Sequence, residues 1–129
     1  MRTRHILTLG LVLAAIAGRA VAQSPGGDPL HGKALFQERC SLCHTAASDD
    51  GDGGQGPALA GVVGRKAASA VGFHYTQALT ASHRVWTPAA LDTFLAAPTK
   101  DVPGTSMPVA TASPKDRADL IAYLATVKP

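Results

Sequence analysis

The sequence predicts a mainly α-helical domain with three principal helices joined by long loops. Three segments start with a polar residue followed by proline: Asp28-Pro29, Thr87-Pro88 and Ser113-Pro114. The polar side chain can accept hydrogen bonds from free backbone N–H groups at a helix start, and proline suits the first helical position because its missing N–H costs nothing there. Apolar residues recur at helical spacing after these starts, and no segment alternates as strands do.

The first predicted helix runs from Pro29 to about Cys43. It places Gly32 and Phe36, which are four residues apart, on one face. Near the end of this helix, Cys40 and Cys43 are three residues apart and therefore share a face as well. The first helix thus presents both cysteines in the same direction.

The second and third predicted helices run from Pro88 to about Ala97 and from Pro114 to about Val127. Each has an apolar stripe at helical spacing, formed by Leu91, Phe94 and Leu95 in the second and by Leu120, Ile121 and Leu124 in the third. Pro98 limits the end of the second helix. Ser113 and Asp116 form a pair that resembles a capping box at the start of the third.

The run from Cys40 to His44 is the strongest chemical signal in the chain. A C-x-x-C-H run is the attachment signature of c-type haem, in which two thiols bind the edge of the porphyrin and the following imidazole binds the iron. This spacing lets Cys40 and Cys43 reach two edges of one macrocycle and leaves His44 directed at the metal. We therefore predict one covalently bound haem c, held through Cys40 and Cys43, with His44 as an iron ligand.

Two other uses of the cysteines fit the sequence less well. A disulfide or a thioredoxin-like redox pair would require a βαβ pattern around the motif, and the chain has none. A zinc site would need further ligands at motif spacing, whereas His31, His74 and His83 are scattered along the sequence. Haem attachment remains the favoured interpretation.

Residues 1–22 have the pattern of a secretory signal peptide. Its features are a positive start at Arg2 and Arg4, an apolar run from Ile6 to Gly18, and an Ala-x-Ala cleavage site from Ala20 to Ala22. The apolar run is shorter than the roughly 20 residues that a membrane span needs. We expect cleavage after residue 22, without stable membrane insertion, so that residues 23–129 form one exported periplasmic domain.

The charge of the chain changes when the signal peptide is removed. Three of the twelve basic residues, Arg2, Arg4 and Arg19, lie in that segment, and none of the nine acidic residues does. Residues 23–129 therefore carry nine residues of each sign. A neutral balance argues against a partner such as nucleic acid.

A long segment rich in Gly, Ala and Ser separates the first two helices, from Thr45 to Trp86. Asp49, Asp50 and Asp52 lie among glycines near its start, but no acidic residue closes a calcium-binding loop at the required position. A loop this long is unusual inside a small domain. It is understandable if much of it wraps around a prosthetic group.

Met107 is the predicted ligand for the other face of the iron. It is the only methionine after the signal peptide and lies in a turn-rich loop between Pro103 and Pro108. A thioether ligand favours ferrous iron and raises the reduction potential. His74 and His83 are the competing candidates, and a methionine that only fills a gap in the core is the plain alternative.

The chain resembles the class I cytochromes c along nearly all of residues 23–129. The matching segments are Gly32 to Phe36, Cys40 to His44, Gly56 to Leu59, Gly61 to Lys66, Gly72 to Thr76, Trp86, Pro98 to Lys100, Pro103 to Met107 and Leu120 to Leu124. The resemblance implies the cytochrome c fold, in which three principal helices and long loops wrap around one covalent haem.

The resemblance also implies roles for single residues. The carbonyl of Pro57 is expected to accept a hydrogen bond from Nδ1 of His44 and so fix its orientation. Three further residues match those that hold the inner haem propionate, and a fourth matches the residue that binds the other: Arg65, Tyr75 and Trp86, then Thr105. By the same resemblance, the terminal helices cross at Gly32, Phe36, Leu120 and Tyr123.

Departures from the family pattern are informative as well. Phe94 stands where many members have a tyrosine whose hydroxyl binds the methionine sulfur, and Leu79 stands where an asparagine often orders a water. The first change removes the hydrogen bond to the methionine sulfur, so the iron–sulfur bond and the potential are expected to differ from those members, and the second change predicts a drier pocket. The lysines that surround the haem edge in mitochondrial members are largely missing, since only Lys100 lies near Met107. A partner recognised mainly through strong negative charge is therefore disfavoured.

We expect the protein to be a monomeric, periplasmic single-electron carrier, not an enzyme, that exchanges electrons with redox protein partners. Two alternatives remain open at this point. The chain could be a dedicated cytochrome subunit of a periplasmic dehydrogenase, or a gas-binding haem module in which Met107 is absent from the iron. A haem peroxidase is disfavoured, because single-protein peroxidases of this haem type have two C-x-x-C-H runs and this chain has one.

Overall fold

The computed structural model describes residues 26–47 and 54–129. It contains five helices: α1 (Pro29–Arg39), α2 (Gln77–Ala81), α3 (Pro88–Ala96), α4 (Pro98–Asp101) and α5 (Pro114–Thr126). Across the described ranges, the strand-like pairing is limited to one isolated antiparallel bridge, between Lys66 and Val85. The predicted mainly α class is confirmed. The predicted signal peptide and the acidic positions 49, 50 and 52 lie outside the described residues.

The three predicted helix starts are correct, and each has the expected cap. Asp28 accepts from two N–H groups in the first turn of α1, Thr87 accepts from the N–H of Ala90, and Ser113 accepts from that of Asp116. Each of these helices also has proline in its first turn. The starts were predictable because a cap depends only on residues two or three positions apart.

The first helix ends earlier than predicted, at Arg39 and not at Cys43. The N–H groups of Cys40 and of the next residue both donate to the carbonyl of Phe36, which closes the helix. A separate turn follows, in which the N–H of His44 donates to the carbonyl of Cys40 at 2.9 Å. The cysteines therefore share a turn, and this turn does not continue the helix.

Two short helices were not predicted. α2 has five residues and α4 has four, too few to show a periodic apolar pattern. Thr76 caps α2 through the N–H of Leu79. Pro98, expected only to limit the second long helix, also begins α4.

The terminal helices α1 and α5 cross at close range, as the resemblance implies. Gly32 lies against the backbone of α5, where an added Cβ would come 1.9 Å from the carbonyl oxygen of Asp119. The rings of Phe36 and Tyr123 are 5.5 Å apart between centroids. Leu120 is buried beside them. The glycine allows the two backbones to approach, and the flanking side chains then pack in contact.

Asp119 forms a polar cluster at this crossing that the sequence did not reveal. Its side chain is only 2% exposed and accepts hydrogen bonds from the N–H of Asp28 at 2.7 Å and from Nζ of Lys115 at 2.5 Å. His31 is 45% exposed, and its Nδ1 also lies 2.7 Å from Oδ2 of Asp119. Asp119 thus ties the start of α1 to α5.

The pKa of Asp119 reflects this cluster. Burial disfavours the carboxylate, but the hydrogen bonds from Lys115, from the backbone of Asp28 and from His31 outweigh it and lower the pKa from 3.8 to about 2. A carboxyl group with a lowered pKa in the folded state stabilises the protein above the unfolded value. That contribution is lost as the pH falls from about 4 through about 2.

Replacing Asp119 with asparagine is expected to destabilise the protein by about 2 kcal/mol at neutral pH, because the charge-assisted bonds are lost. Urea unfolding at pH 7 and near pH 2 measures the difference in unfolding free energy between the variant and the native protein. This difference should be smaller at the lower pH. The matched control is Glu38→Gln, since Glu38 is 68% exposed and its ion pair with Arg39 is loose at 3.6 Å. A gap of equal size at both pH values would contradict this account.

The apolar core joins α1, α3 and α5. It consists of Leu35, Phe36, Val62, Trp86, Leu91, Phe94, Val102, Leu120 and Leu124. These side chains do not fill the interior, because a deep cleft remains between the helices and the loops that follow α1 and α4. No helix among residues 26–47 and 54–129 is long and apolar enough to cross a membrane.

Candidate haem site

The cleft encloses about 1270 Å³ of empty space when its open mouth is included. Every residue predicted for the site lines it: Cys40, Cys43, His44, Pro57, Arg65, Tyr75, Trp86, Thr105 and Met107. The fold therefore brings together residues that are spread over 68 positions of the sequence.

The two cysteines are presented to the cleft by the turn after α1. Neither sulfur is in a disulfide, and both side chains are partly buried. Burial raises the pKa of the Cys40 thiol. The Cys43 thiol donates a weak hydrogen bond to Oε1 of Gln55, at 3.7 Å. Two free thiols at one wall of a large cleft suit covalent attachment to a bound group.

His44 is oriented by its second ring nitrogen. Its Nδ1 lies 2.8 Å from the carbonyl oxygen of Pro57, which can only accept, so Nδ1 carries the proton. Burial lowers the pKa of His44, against the opposing effect of this hydrogen bond. The imidazole is therefore held neutral, with Nε2 available to bind a metal.

Gly56 makes room for this histidine ring, a role that sequence reasoning did not assign. A Cβ at Gly56 would lie 2.4 Å from Cε1 of His44 and 2.6 Å from its Nδ1. Such distances are far inside van der Waals contact. The signal was present in the segment from Gly56 to Leu59, but only the three-dimensional contact shows why a glycine is required.

Met107 lines the cleft from the loop after α4. The N–H of Thr105 donates to the carbonyl of Val102 at 3.0 Å, and the N–H of Met107 lies 3.4 Å from the Thr105 hydroxyl. These bonds give the loop a defined shape. The competing candidates, His74 and His83, are both exposed and are not among the residues that line the cleft.

Arg65 has the clearest unmet hydrogen-bonding capacity. Its Nη1 and Nη2 donate to the carbonyls of Ala60 and Ala58 at 2.8 and 3.0 Å. Its Nε is the one buried side-chain nitrogen or oxygen in the described ranges that has no partner. Since buried donors are normally paired, this N–H indicates an acceptor that belongs to a bound group. A carboxylate would also match the charge of the guanidinium.

Tyr75 and Thr105 offer two further donors to the cleft. The Tyr75 oxygen accepts from the N–H of Ala70 at 3.2 Å, so its hydroxyl hydrogen can still donate. The Thr105 oxygen accepts from the N–H of Met107, so its hydrogen is available in the same way. With Arg65, these groups suit the two carboxylates of a haem.

The remainder of the cleft is largely apolar. The rings of Trp86 and Phe94 lie 5.0 Å apart between centroids and form part of one wall. Leu79 also lines the cleft. Phe94 has no hydroxyl and Leu79 has no amide, so neither offers a hydrogen bond to a ligand or to water. Apolar walls with a few hydrogen-bond donors fit a large group such as a porphyrin.

Comparison with known proteins agrees with this geometry. The sequence model of the cytochrome c family matches residues 30–128. The chain belongs to the cytochrome c family. It is 45% identical over 106 residues to cytochrome c2 of Rhodopila globiformis, covering 81% of this chain and 98% of that protein. It is 40% identical over 121 residues to cytochrome c2 of Rhodomicrobium vannielii, covering 93% and 94%.

A solved structure also matches this cytochrome c. Cytochrome cH from Methylobacterium extorquens superimposes with a TM-score of 0.71 at 41% identity, covering 78% of this chain and 99% of that one. The predictions of family, fold and cofactor are thereby confirmed. The protein is an electron carrier with one haem c bound covalently through Cys40 and Cys43.

Proposed function

We propose that this cytochrome c is a periplasmic single-electron carrier in which His44 and Met107 both bind the haem iron. The supporting observation is that one cleft gathers both cysteines, an oriented neutral imidazole and the only methionine of residues 23–129. When bound, the haem supplies a ferric–ferrous couple that gains and loses one electron. Nitrogen and thioether ligands together favour the ferrous state more than two imidazoles do.

The protein's own groups would hold the haem in place and keep water out. Pro57 fixes the ring of His44 through Nδ1, which also raises the basicity of the ligand. Arg65, Tyr75 and Thr105 would donate to the propionates, whose charge is costly to bury without partners. Trp86 would add apolar contact beside them.

If His44 and Met107 both hold the iron, no coordination position would be open to a substrate. This arrangement favours electron transfer over catalysis at the metal. The apolar walls around Phe94 and Leu79 reduce the solvent reorganisation that would accompany a change of charge. Redox partners would then approach the open mouth of the cleft, where electrons enter and leave.

The mouth of the cleft carries little charge. Exposed residues there include Gln55, Ser106, Pro108 and Val109, and Leu42 in the cysteine turn is 78% exposed. Among the described residues that line the cleft, Arg39 and Arg65 are the only charged ones. Arg39 lies 3.7 Å from Asp116, and Arg65 donates inward to backbone carbonyls. We infer that partners dock through short-range apolar contacts and not through a charged ring.

The periplasm is the proposed compartment. Residues 1–22 have the pattern of a signal peptide, and two of the relatives are bacterial cytochromes c2. Haem attachment to cysteines of an exported chain is consistent with this location.

Electron exchange with small redox reagents of opposite charge tests the proposed docking face. Stopped-flow oxidation of the ferrous protein by ferricyanide and by tris(phenanthroline)cobalt(III) is expected to be second order. The effect of salt on the charged reagent itself is first subtracted. Each rate constant should then change by less than about threefold between about 10 and 300 mM salt.

A matched pair of variants sharpens this experiment. In Leu42→Glu, the rate constants for the two reagents should change in opposite directions as the salt concentration rises. Leu30→Glu should not, because Leu30 is about as exposed, at 80%, but lies at the start of α1 and not in the turn that carries the cysteines. A native protein whose two rates diverge by tenfold or more at low salt would contradict the neutral docking face.

A further inference from the structure

A salt bridge connects the segment before Trp86 to the helix that leads into the Met107 loop. Nη1 of Arg84 donates to Oδ2 of Asp101, the last residue of α4. Both side chains are partly buried, at 25% and 16% exposure. The guanidinium carbon of Arg84 also lies 5.5 Å from the centroid of the Trp86 ring. Arg84 therefore contacts an aromatic wall of the cleft and the base of the ligand loop at the same time.

We propose that Arg84 is a positioning residue for the axial ligand: through Asp101 it holds α4 in place and thereby keeps Met107 on the iron. This inference rests on the proposed ligation by Met107. It assigns no contact between Arg84 and the haem. Arg84 acts through the loop, and its removal changes how readily Met107 leaves.

The side of the salt bridge that carries Arg84 is firmly anchored. The carbonyl of Arg84 accepts from the N–H of Ala67 at 2.8 Å. Two residues later, the N–H of Trp86 donates to the carbonyl of Arg65 at 2.9 Å, on either side of the bridge between Lys66 and Val85. These backbone bonds join Arg84 to the segment that also carries Arg65. A guanidinium fixed at this point can restrain a partner that is otherwise mobile.

The side that carries Asp101 needs such a restraint. α4 is a single turn of four residues, and its start has no side-chain hydrogen bond because Ala97 occupies the cap position. A single helical turn is unstable by itself, because it orders several residues for few hydrogen bonds. The charge-assisted bond from Arg84 is the ion pair that fastens its final residue.

A continuous series of bonds leads from α4 to Met107. The N–H of Val102 donates to the carbonyl of Pro98 at 2.9 Å, and that of Thr105 donates to the carbonyl of Val102 at 3.0 Å. The N–H of Met107 then lies 3.4 Å from the Thr105 hydroxyl. Val102 is also part of the apolar core. A shift of Asp101 would therefore be passed along a short, hydrogen-bonded path to the methionine.

Imidazole titration of the ferric holoprotein tests the proposal, because exogenous imidazole competes with Met107 for the iron. Arg84→Met and Asp101→Asn are each expected to tighten imidazole binding about fivefold, the size expected when a partly buried ion pair is lost. The double variant should bind no more tightly than either single variant, since both changes break the same salt bridge. Arg84→Lys should recover part of the native value.

Two reference variants separate the possible causes. Asp119→Asn lowers global stability at the α1–α5 crossing without a contact in the cleft, and it should leave imidazole affinity unchanged. Met107→Ala gives the reference imidazole affinity of an iron that has no thioether ligand. If Met107→Ala matches the native protein, ligation by Met107 is wrong and the positioning role is overturned with it.

If Met107→Ala differs from the native protein, the result bears on Arg84 alone. Unchanged affinity in Arg84→Met overturns the positioning role while leaving the proposed ligation intact. Additive effects of the two single changes, or an equal gain in Asp119→Asn, also overturn it. Non-additive gains confined to Arg84 and Asp101 support it.

Discussion

Replacing Met107 with alanine is expected to open one axial position of the iron. The native holoprotein should be low-spin in both redox states and show a near-infrared sulfur-to-iron band, because the thioether completes the ligand set. The variant should lose that band and bind carbon monoxide rapidly when reduced. If Met107 is off the iron in about 1% of the native protein, a variant that is always open should show an apparent carbon monoxide affinity about 100-fold higher.

Two further variants identify the cause of this change. Met107→Leu keeps most of the side-chain volume but has no sulfur, so it should behave like the alanine variant if ligation is what matters. Val109→Ala alters a neighbouring residue of the same cleft and should retain the band. Absorption spectra and carbon monoxide binding rates provide the measurements. Rapid carbon monoxide binding by the native ferrous protein at neutral pH would instead favour the gas-binding alternative.

Replacing Gly32 with alanine is expected to produce the largest loss of stability. The new Cβ would lie 1.9 Å from the carbonyl oxygen of Asp119 and 2.9 Å from Cβ of Tyr123. The first of these contacts is with backbone, so it cannot be relieved by a change of rotamer. α1 and α5 must separate, and the packing of Phe36 against Tyr123 is lost with their contact. We expect a loss of about 3 kcal/mol or more.

Guanidinium unfolding of the holoprotein measures this loss. Gly26→Ala is the matched control, since an added Cβ there would meet no atom within 4 Å. Its unfolding free energy should change by less than about 0.5 kcal/mol. A Gly32→Ala variant as stable as the native protein would show that the two helices can move apart without cost, contrary to the observed crossing.

The starts of the helices were predictable from the sequence, whereas some of the ends were not. Asp28, Thr87 and Ser113 cap their helices through neighbours two or three positions ahead, so the information is local. The end of α1 depends on a shared carbonyl of Phe36 and on the turn that follows. Helix α4 is a single turn that is fastened by a residue 17 positions earlier. Local patterns do not contain that information.

The residues of the candidate site could be chosen from the sequence, but their supporting contacts could not. The C-x-x-C-H run and the resemblance to class I cytochromes c led to nine residues, all of which lie among those that line the cleft. Neither indicated that Gly56 is required by the ring of His44, or that Arg84 contacts both Trp86 and Asp101. The ligand role of Met107 stays a prediction that the Met107 variants test, and the signal peptide stays a prediction as well.

The sequence by itself determined the cofactor, because covalent haem attachment requires two thiols and an imidazole within five consecutive residues. It also determined the family, through short segments kept in order along the chain. Only the tertiary structure revealed the buried carboxylate of Asp119, which joins residues up to 91 positions apart, and the salt bridge of Arg84 at the base of the ligand loop. The physical reason is that attachment chemistry depends on spacing along the backbone, whereas charge pairing and close backbone contact depend on which surfaces meet after folding.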